Sequence, residues 1–177
     1  MSGTAAPSSD ALKQDILAVL DENRVMSLAT VRPDGWPQAT MVGYAHDDLT
    51  LYFAVARTSQ KLANIQHDSR VSIAIGHGAG KDTRGISLAA RVVEVTDYDE
   101  VARLNAILHE RYPEQMVFAP REASAALLKA VPKLVSIVNL SRDAGRPQLV
   151  TLETETSVRP LEDAGLGPGI GPAGSLG

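Results

Sequence analysis

The stretch Val25-Met26-Ser27-Leu28-Ala29-Thr30-Val31-Arg32-Pro33-Asp34-Gly35-Trp36-Pro37-Gln38-Ala39-Thr40-Met41-Val42-Gly43-Tyr44 decides the fold. Its first seven residues are rich in β-formers, and the run ends in Arg32-Pro33-Asp34-Gly35. Proline presets φ at the second turn position and glycine accepts a positive φ, so a hairpin is predicted with Pro37 to Tyr44 as the return strand. Two strands joined this tightly must be antiparallel.

The same alternation continues in both directions. His46-Asp47-Asp48 reads as a second turn and Leu49 to Ala54 as a third strand. Val71 to Ile75 gives a fourth strand, Ile86 to Val95 a fifth, Lys133 to Leu140 a sixth, and Gln148 to Leu152 a possible seventh. Helices are predicted at Asp10–Asn23, where Ser9 or Asp10 can cap, and at Gln60–Gln66, capped by Thr58 or Ser59. A third helix starts at Asp97-Tyr98-Asp99-Glu100 and is ended by Tyr112-Pro113, and a further helical piece covers about Arg121 to Ala130. Gly76 to Gly85 reads as a flexible connection. Six or more strands joined mainly by hairpins predict a mainly β fold with flanking helices, an antiparallel sheet closed into a small barrel. Residues 10–160 form that one domain, with a loose arm at 1–9 and a Gly/Pro-rich tail at 161–177.

Composition removes several function classes. With 177 residues, 44% of them apolar, the chain can bury a real core. It carries 17 Lys+Arg against 21 Asp+Glu, a balance that does not favour nucleic acid. It has no cysteine, so thiol nucleophiles, disulfides and thiolate metal sites are excluded together. His46, His67, His77 and His109 lack ligand spacing, and no metal site is expected. No apolar run approaches the roughly 20 residues of a membrane span, and Met1 to Ser9 lacks the pattern of a signal peptide. The expected compartment is cytoplasmic, with no membrane partner.

Chemistry concentrates where the third strand hands over to a helix, at Phe53-Ala54-Val55-Ala56-Arg57-Thr58-Ser59-Gln60-Lys61-Leu62-Ala63-Asn64. Free N–H groups at a helix start suit a phosphate, and the hydroxyls of Thr58 and Ser59 with the charges of Arg57 and Lys61 add to that. The same residues also make an ordinary N-cap with solvated cations, and on local chemistry alone the cap is favoured. The loop at 76–85 is no nucleotide-binding P-loop: Gly80-Lys81 is followed by Asp82, and Ile75 stands where the first glycine belongs. Lys81 and Arg84 remain within reach of a bound anion. Tyr44 and Trp36 are candidate walls for a flat ligand.

In order, Met26 to Gln38, Leu49 to Phe53, Thr58-Ser59-Gln60-Lys61-Leu62-Ala63-Asn64 and Asp68-Ser69-Arg70-Val71-Ser72-Ile73 resemble the pyridoxamine 5′-phosphate oxidase-like flavoproteins, the FMN-binding split-barrel superfamily. The likeness spans roughly residues 12–140. It implies a six-stranded split barrel, a homodimer, and a flavin in each of two interface clefts. Residue matching implies that Lys61 and Ser59 hold the FMN phosphate. Ala39 to Tyr44, including Met41 and Val42, would pass beside the ribityl chain and ring. Ala54 and Val55 would support the same face through their backbone, and Arg84 would make a polar contact to the ring.

The chain also departs from the pattern. Gln60 stands where a basic residue often precedes the phosphate lysine, and Arg57 is expected to compensate. Ala39 and Tyr44 replace the strand-two Arg and Lys of the true oxidases. Ser141-Arg142-Asp143-Ala144-Gly145-Arg146 stands in for their C-terminal substrate signature. Vitamin B6 oxidation is therefore not the expected reaction. The resemblance implies an FMN-dependent oxidoreductase acting on a small, flat or conjugated substrate, with no catalytic acid or base named. The alternatives are an F420-dependent reductase, a haem binder using His77 or His67, and a non-catalytic flavin carrier or empty barrel.

Overall fold

The computed structural model describes residues 7–78, 80–111, 124–140, 147–152, 154 and 156–161. In the hairpin, β1 (Val25–Val31) pairs antiparallel with β2 (Pro37–Gly43), Val25 opposite Gly43 and Val31 opposite Pro37. The Gly35 N–H donates to the Arg32 carbonyl at 2.8 Å, and Gly35 takes φ +87°, as the turn requires.

The remaining strands are β3 (Ala45–Asp47), β4 (Thr50–Ala56), β5 (Arg70–His77), β6 (Arg84–Glu94), β7 (Ala125–Asn139), β8 (Gln148–Leu152) and β9 (Val158–Pro160). Hydrogen-bonded neighbours run β2-β1-β5-β6-β7-β4-β3, with β8 and β9 branching from β7. The strands β2 and β4 approach without forming a ladder. That gap splits the barrel. The six expected strands are the long ones, β1, β2, β4, β5, β6 and β7, while β3, β8 and β9 are short additions.

Three local expectations are corrected. The segment 125–130, read as helical, is the first half of β7; its Ala/Leu composition suits a helix, but β4 and β6 recruit it as a strand. Positions 121–123 and 112–113, and the predicted arm and tail at 1–6 and 162–177, lie outside the described residues. The first helix, α1 (Ser9–Glu22), is capped by Ser8, whose Oγ accepts from the Ala11 N–H; the helix begins one residue earlier than expected. The flexible connection shrinks to a turn around Gly80–Asp82, since β5 and β6 extend into it as far as His77 and Arg84. At the same end of the sheet Gly76 faces Gly85, and a Cβ on Gly76 would lie 2.8 Å from the Arg84 carbonyl oxygen.

Strand alternation sends Met26, Leu28, Ile73, Leu88, Phe53 and Val135 inward, and α1 seals the barrel with Leu12, Ile16, Val19 and Leu20. A second apolar cluster lies beneath α3 (Tyr98–Arg111), where Tyr52 and Leu127 meet Val101, Leu104 and Leu108. The strand β7 serves two neighbours on one edge. Ala125–Ala130 pair with β4 and Leu134–Ile137 with β8, while on the other edge β6 pairs from Leu128 to Asn139. Between the halves the register skips Lys133 beside Pro132, a bulge where the missing proline N–H costs no ladder bond. Among the described residues no helix is long and apolar enough to cross a membrane.

Candidate functional site

The strand β4 ends at Ala56 and α2 (Gln60–His67) begins four residues later. Ser59 is the N-cap: its Oγ accepts from the Leu62 N–H at 3.4 Å, and its own N–H donates to the Ala56 carbonyl. The N–H groups of Gln60 and Lys61 come before any intrahelical acceptor and have no partner among the described residues. There is no acidic residue in the first turn. Lys61 is half-buried and makes no ion pair with a described residue. Thr58 is exposed beside it.

Gln60 and Arg57 are differently disposed. The Gln60 side-chain amide donates to Asn64 Oδ1 at 2.9 Å. Asn64 is fully buried, and its own amide donates to Thr30 Oγ1 at 2.9 Å and Gln38 Oε1 at 3.0 Å. One side chain thus ties the middle of α2 to β1 and β2. Arg57 donates to Glu94 Oε1 at 2.8 Å, across the start of β7. The sequence presents Asn64 only as part of a motif and marks no role for Thr30, Gln38 or Glu94. The available signal was Thr30 and Gln38, polar residues on the inward alternation of β1 and β2.

Beside α2, the edge of β4 facing β2 is open beyond Tyr52, where β3 stops pairing. The Arg57 N–H donates to the Ser124 carbonyl, so alternation directs the backbone groups of Val55 toward β7 and those of Ala54 toward the open edge. The Val55 side chain is buried in the core, whereas Ala54 is exposed. Of the two residues expected to offer backbone contacts, Ala54 has the geometry for it. Across the split, Thr40 Oγ1 on β2 is buried with no partner among the described residues.

The two β2 residues separate by face. Val42 points into the core and Met41, 69% exposed, points outward opposite Ser27. Met41 belongs to an open groove of about 570 Å³ on the outer sheet face, floored by small residues such as Ser27, Ala74, Gly76 and Ser87 and rimmed by His77 and Arg84. Arg84 is ion-paired with Glu22. It starts β6 while Glu94, the partner of Arg57, ends it; eleven residues at about 3.3 Å each put roughly 30 Å between those ends. One chain therefore does not bring Arg84 to the start of α2.

Tyr44 is not a wall of an open site: it is buried, and its hydroxyl donates to the Leu20 carbonyl at 3.0 Å, fastening the end of α1. Trp36 stands 72% exposed at the hairpin tip. His77 accepts at Nδ1 from the Asn23 amide and faces Glu22 at 3.3 Å through Nε2, so both ring nitrogens are engaged; His67 is exposed at the end of α2. His46 is buried between Asp21 and the Asp48 carbonyl. No group of three or more His, Asp or Glu suited to a metal occurs among the described residues.

Comparison with known proteins fits this geometry. Residues 12–139 match the sequence profile of the pyridoxamine 5′-phosphate oxidase family. A 66-residue stretch is 36% identical to general stress protein 26 of Bacillus subtilis, covering 37% of this chain and 46% of that protein, so the match spans about half the length of that relative. The fold is shared with the crystal structure of general stress protein 26 of Bacillus anthracis, with TM-score 0.60, 22% identity, and coverage of 80% of this chain and 98% of that one. It is also shared with a heme binding protein of Mycobacterium smegmatis, with TM-score 0.62, 22% identity, and coverage of 84% of this chain and 60% of that one. The profile match over most of the chain, with the split barrel and the Ser59-capped helix bearing Lys61, shows that the chain belongs to the pyridoxamine 5′-phosphate oxidase family.

Proposed function

We propose that the chain binds FMN at the start of α2 and acts as a cytoplasmic, homodimeric, FMN-dependent oxidoreductase on a small, flat or conjugated substrate. The observation that carries this reading is the start of α2: two unpartnered N–H groups, a serine cap, no nearby carboxylate in the first turn, and a lysine without an ion pair among the described residues. Such a helix start suits a phosphate. The split beside it also fits the rest of the cofactor, with the open backbone edge at Ala54 and the buried Thr40 Oγ1, which has no partner among the described residues.

Ser59, Lys61 and the N–H groups of α2 would hold the phosphate, and Ala54 and Thr40 would meet the ribityl chain or ring. Bound there, a flavin supplies hydride or electron transfer, and the chain supplies orientation and a cleft that limits water. This reading requires no protein acid or base. Arg84 meets the same cofactor only if a second copy contributes it, which is the role of the proposed dimer.

Titration of FMN into the apoprotein, followed by flavin fluorescence, tests the reading. Ser59→Ala with Lys61→Ala is expected to weaken binding at least tenfold, since a charge-assisted hydrogen bond contributes about 1.5–3 kcal/mol. Failure of both FMN and F420 to bind, or equal binding by that variant, overturns it. Bleaching of the bound flavin by NADH or NADPH then separates a reductase from a carrier.

A further inference from the structure

We propose that Glu94 sets the charge selectivity of the α2 site by holding Arg57 in reserve, so that Arg57 joins Lys61 only when a phosphate dianion draws it away; the inference rests on the flavin-phosphate reading above. Arg57 directly follows β4 and Glu94 ends β6, and β7 lies between the two strands, with Leu128 paired to both Phe53 and Glu94. The guanidinium and carboxylate meet at 2.8 Å, with side chains 34% and 31% exposed. Water reaches both groups, so the pair is weak and easily exchanged.

The helix start is close at hand. Only Thr58 separates Arg57 from Ser59, so their Cα atoms lie at most about 7 Å apart, within the reach of an arginine stem. The charge available there is otherwise small. Lys61 is the one cation in the first turn, and Gln60 is neutral and turned inward to Asn64. A phosphomonoester carries about −1.5 to −2 charges at pH 7, while a helix N-terminus presents roughly half a positive charge. Lys61 and the helix therefore leave part of a dianion unmatched, and among the described residues Arg57 is a neighbour able to match it. Releasing Arg57 leaves Glu94 unpaired. A ligand with one negative charge, or none, gives Arg57 little reason to move. Glu94 is thus a positioning residue that acts through Arg57.

The test compares FMN with riboflavin, which has the same ring and no phosphate, on wild type, Glu94→Gln, Arg57→Ala, the double variant and Lys61→Ala, at fixed ionic strength. Glu94→Gln is expected to tighten FMN about two- to fivefold and leave riboflavin unchanged. Arg57→Ala is expected to weaken FMN selectively. The double variant is expected to show none of the gain, so the two effects are not additive. An unchanged FMN-to-riboflavin ratio in Glu94→Gln, with Lys61→Ala still lowering that ratio, overturns the role of Glu94 and leaves the phosphate site standing. If Lys61→Ala also leaves the ratio unchanged, both fall together. Far-UV circular dichroism of each variant separates a binding effect from misfolding.

Discussion

Asn64 is the residue whose chemistry most constrains its surroundings. It has no exposed surface, donates twice, and accepts from Gln60, so three elements meet on one amide. Replacing it with alanine leaves the buried Thr30 hydroxyl and the half-buried Gln38 amide oxygen without their donor, a cost of about 1–3 kcal/mol. Asn64→Asp is expected to be worse, because a buried carboxylate faces two oxygens that the amide had satisfied. Urea denaturation checks the order: the midpoint should fall from wild type to Asn64→Ala to Asn64→Asp. Little of this network was legible beforehand. Ser59 as a cap followed from adjacent residues, whereas Thr30, Gln38 and Asn64 are joined only by the closure of the barrel. The pairing of Arg57 with Glu94, 37 residues apart, was hidden for the same reason.

Among the elements, α3 shows how a helix is fixed onto a sheet by polar contacts around an apolar centre. The Tyr52 hydroxyl donates to Glu100 at 3.1 Å, Lys129 donates to the same carboxylate at 2.8 Å, and Arg103 pairs with Asp47. Burial, followed by the Glu100 charge, pushes the Tyr52 pKa from 10.0 to about 12. The folded state holds that proton more tightly than the unfolded chain. The resulting stabilisation is complete below pH 10 and is lost as pH rises toward 12. Tyr52→Phe is expected to be less stable at neutral pH and to lose less stability between those limits, which denaturation midpoints taken across the alkaline range would reveal. The hairpin at Arg32–Gly35 was readable because its turn chemistry is local. The strand at 125–130 was not, because Ala125 to Ala130 suit a helix and only pairing with β4 and β6 makes them extended.

For the whole molecule, the outer face of β2, β1, β5 and β6 is the feature that one chain leaves unexplained. Ser27, Ala29, Ala39, Met41, Ala74 and Ser87 present a small, uncharged surface, with Arg70 opposite Arg91 toward one end and Arg84 at the other. A second copy laid against it would bury Met41 and supply Arg84 to the neighbouring α2. Sedimentation at micromolar concentration is expected to give a dimer, and Met41→Glu is expected to shift it toward monomer with the fold retained. A wild-type monomer that still binds FMN tightly would refute the shared site.

The bulge at Pro132 divides labour along β7. Its first half carries the neighbour that bears Arg57 and leads into α2, and its second half carries the β8–β9 extension, which Lys13 of α1 reaches through its bond to the Thr156 carbonyl at 2.7 Å. Since the register is reset between the halves, length changes in the β8–β9 lobe need not be transmitted to the strand edge beside α2. The lobe is the part of the fold that can be lengthened, trimmed or exchanged while the ligand-facing half keeps its alignment.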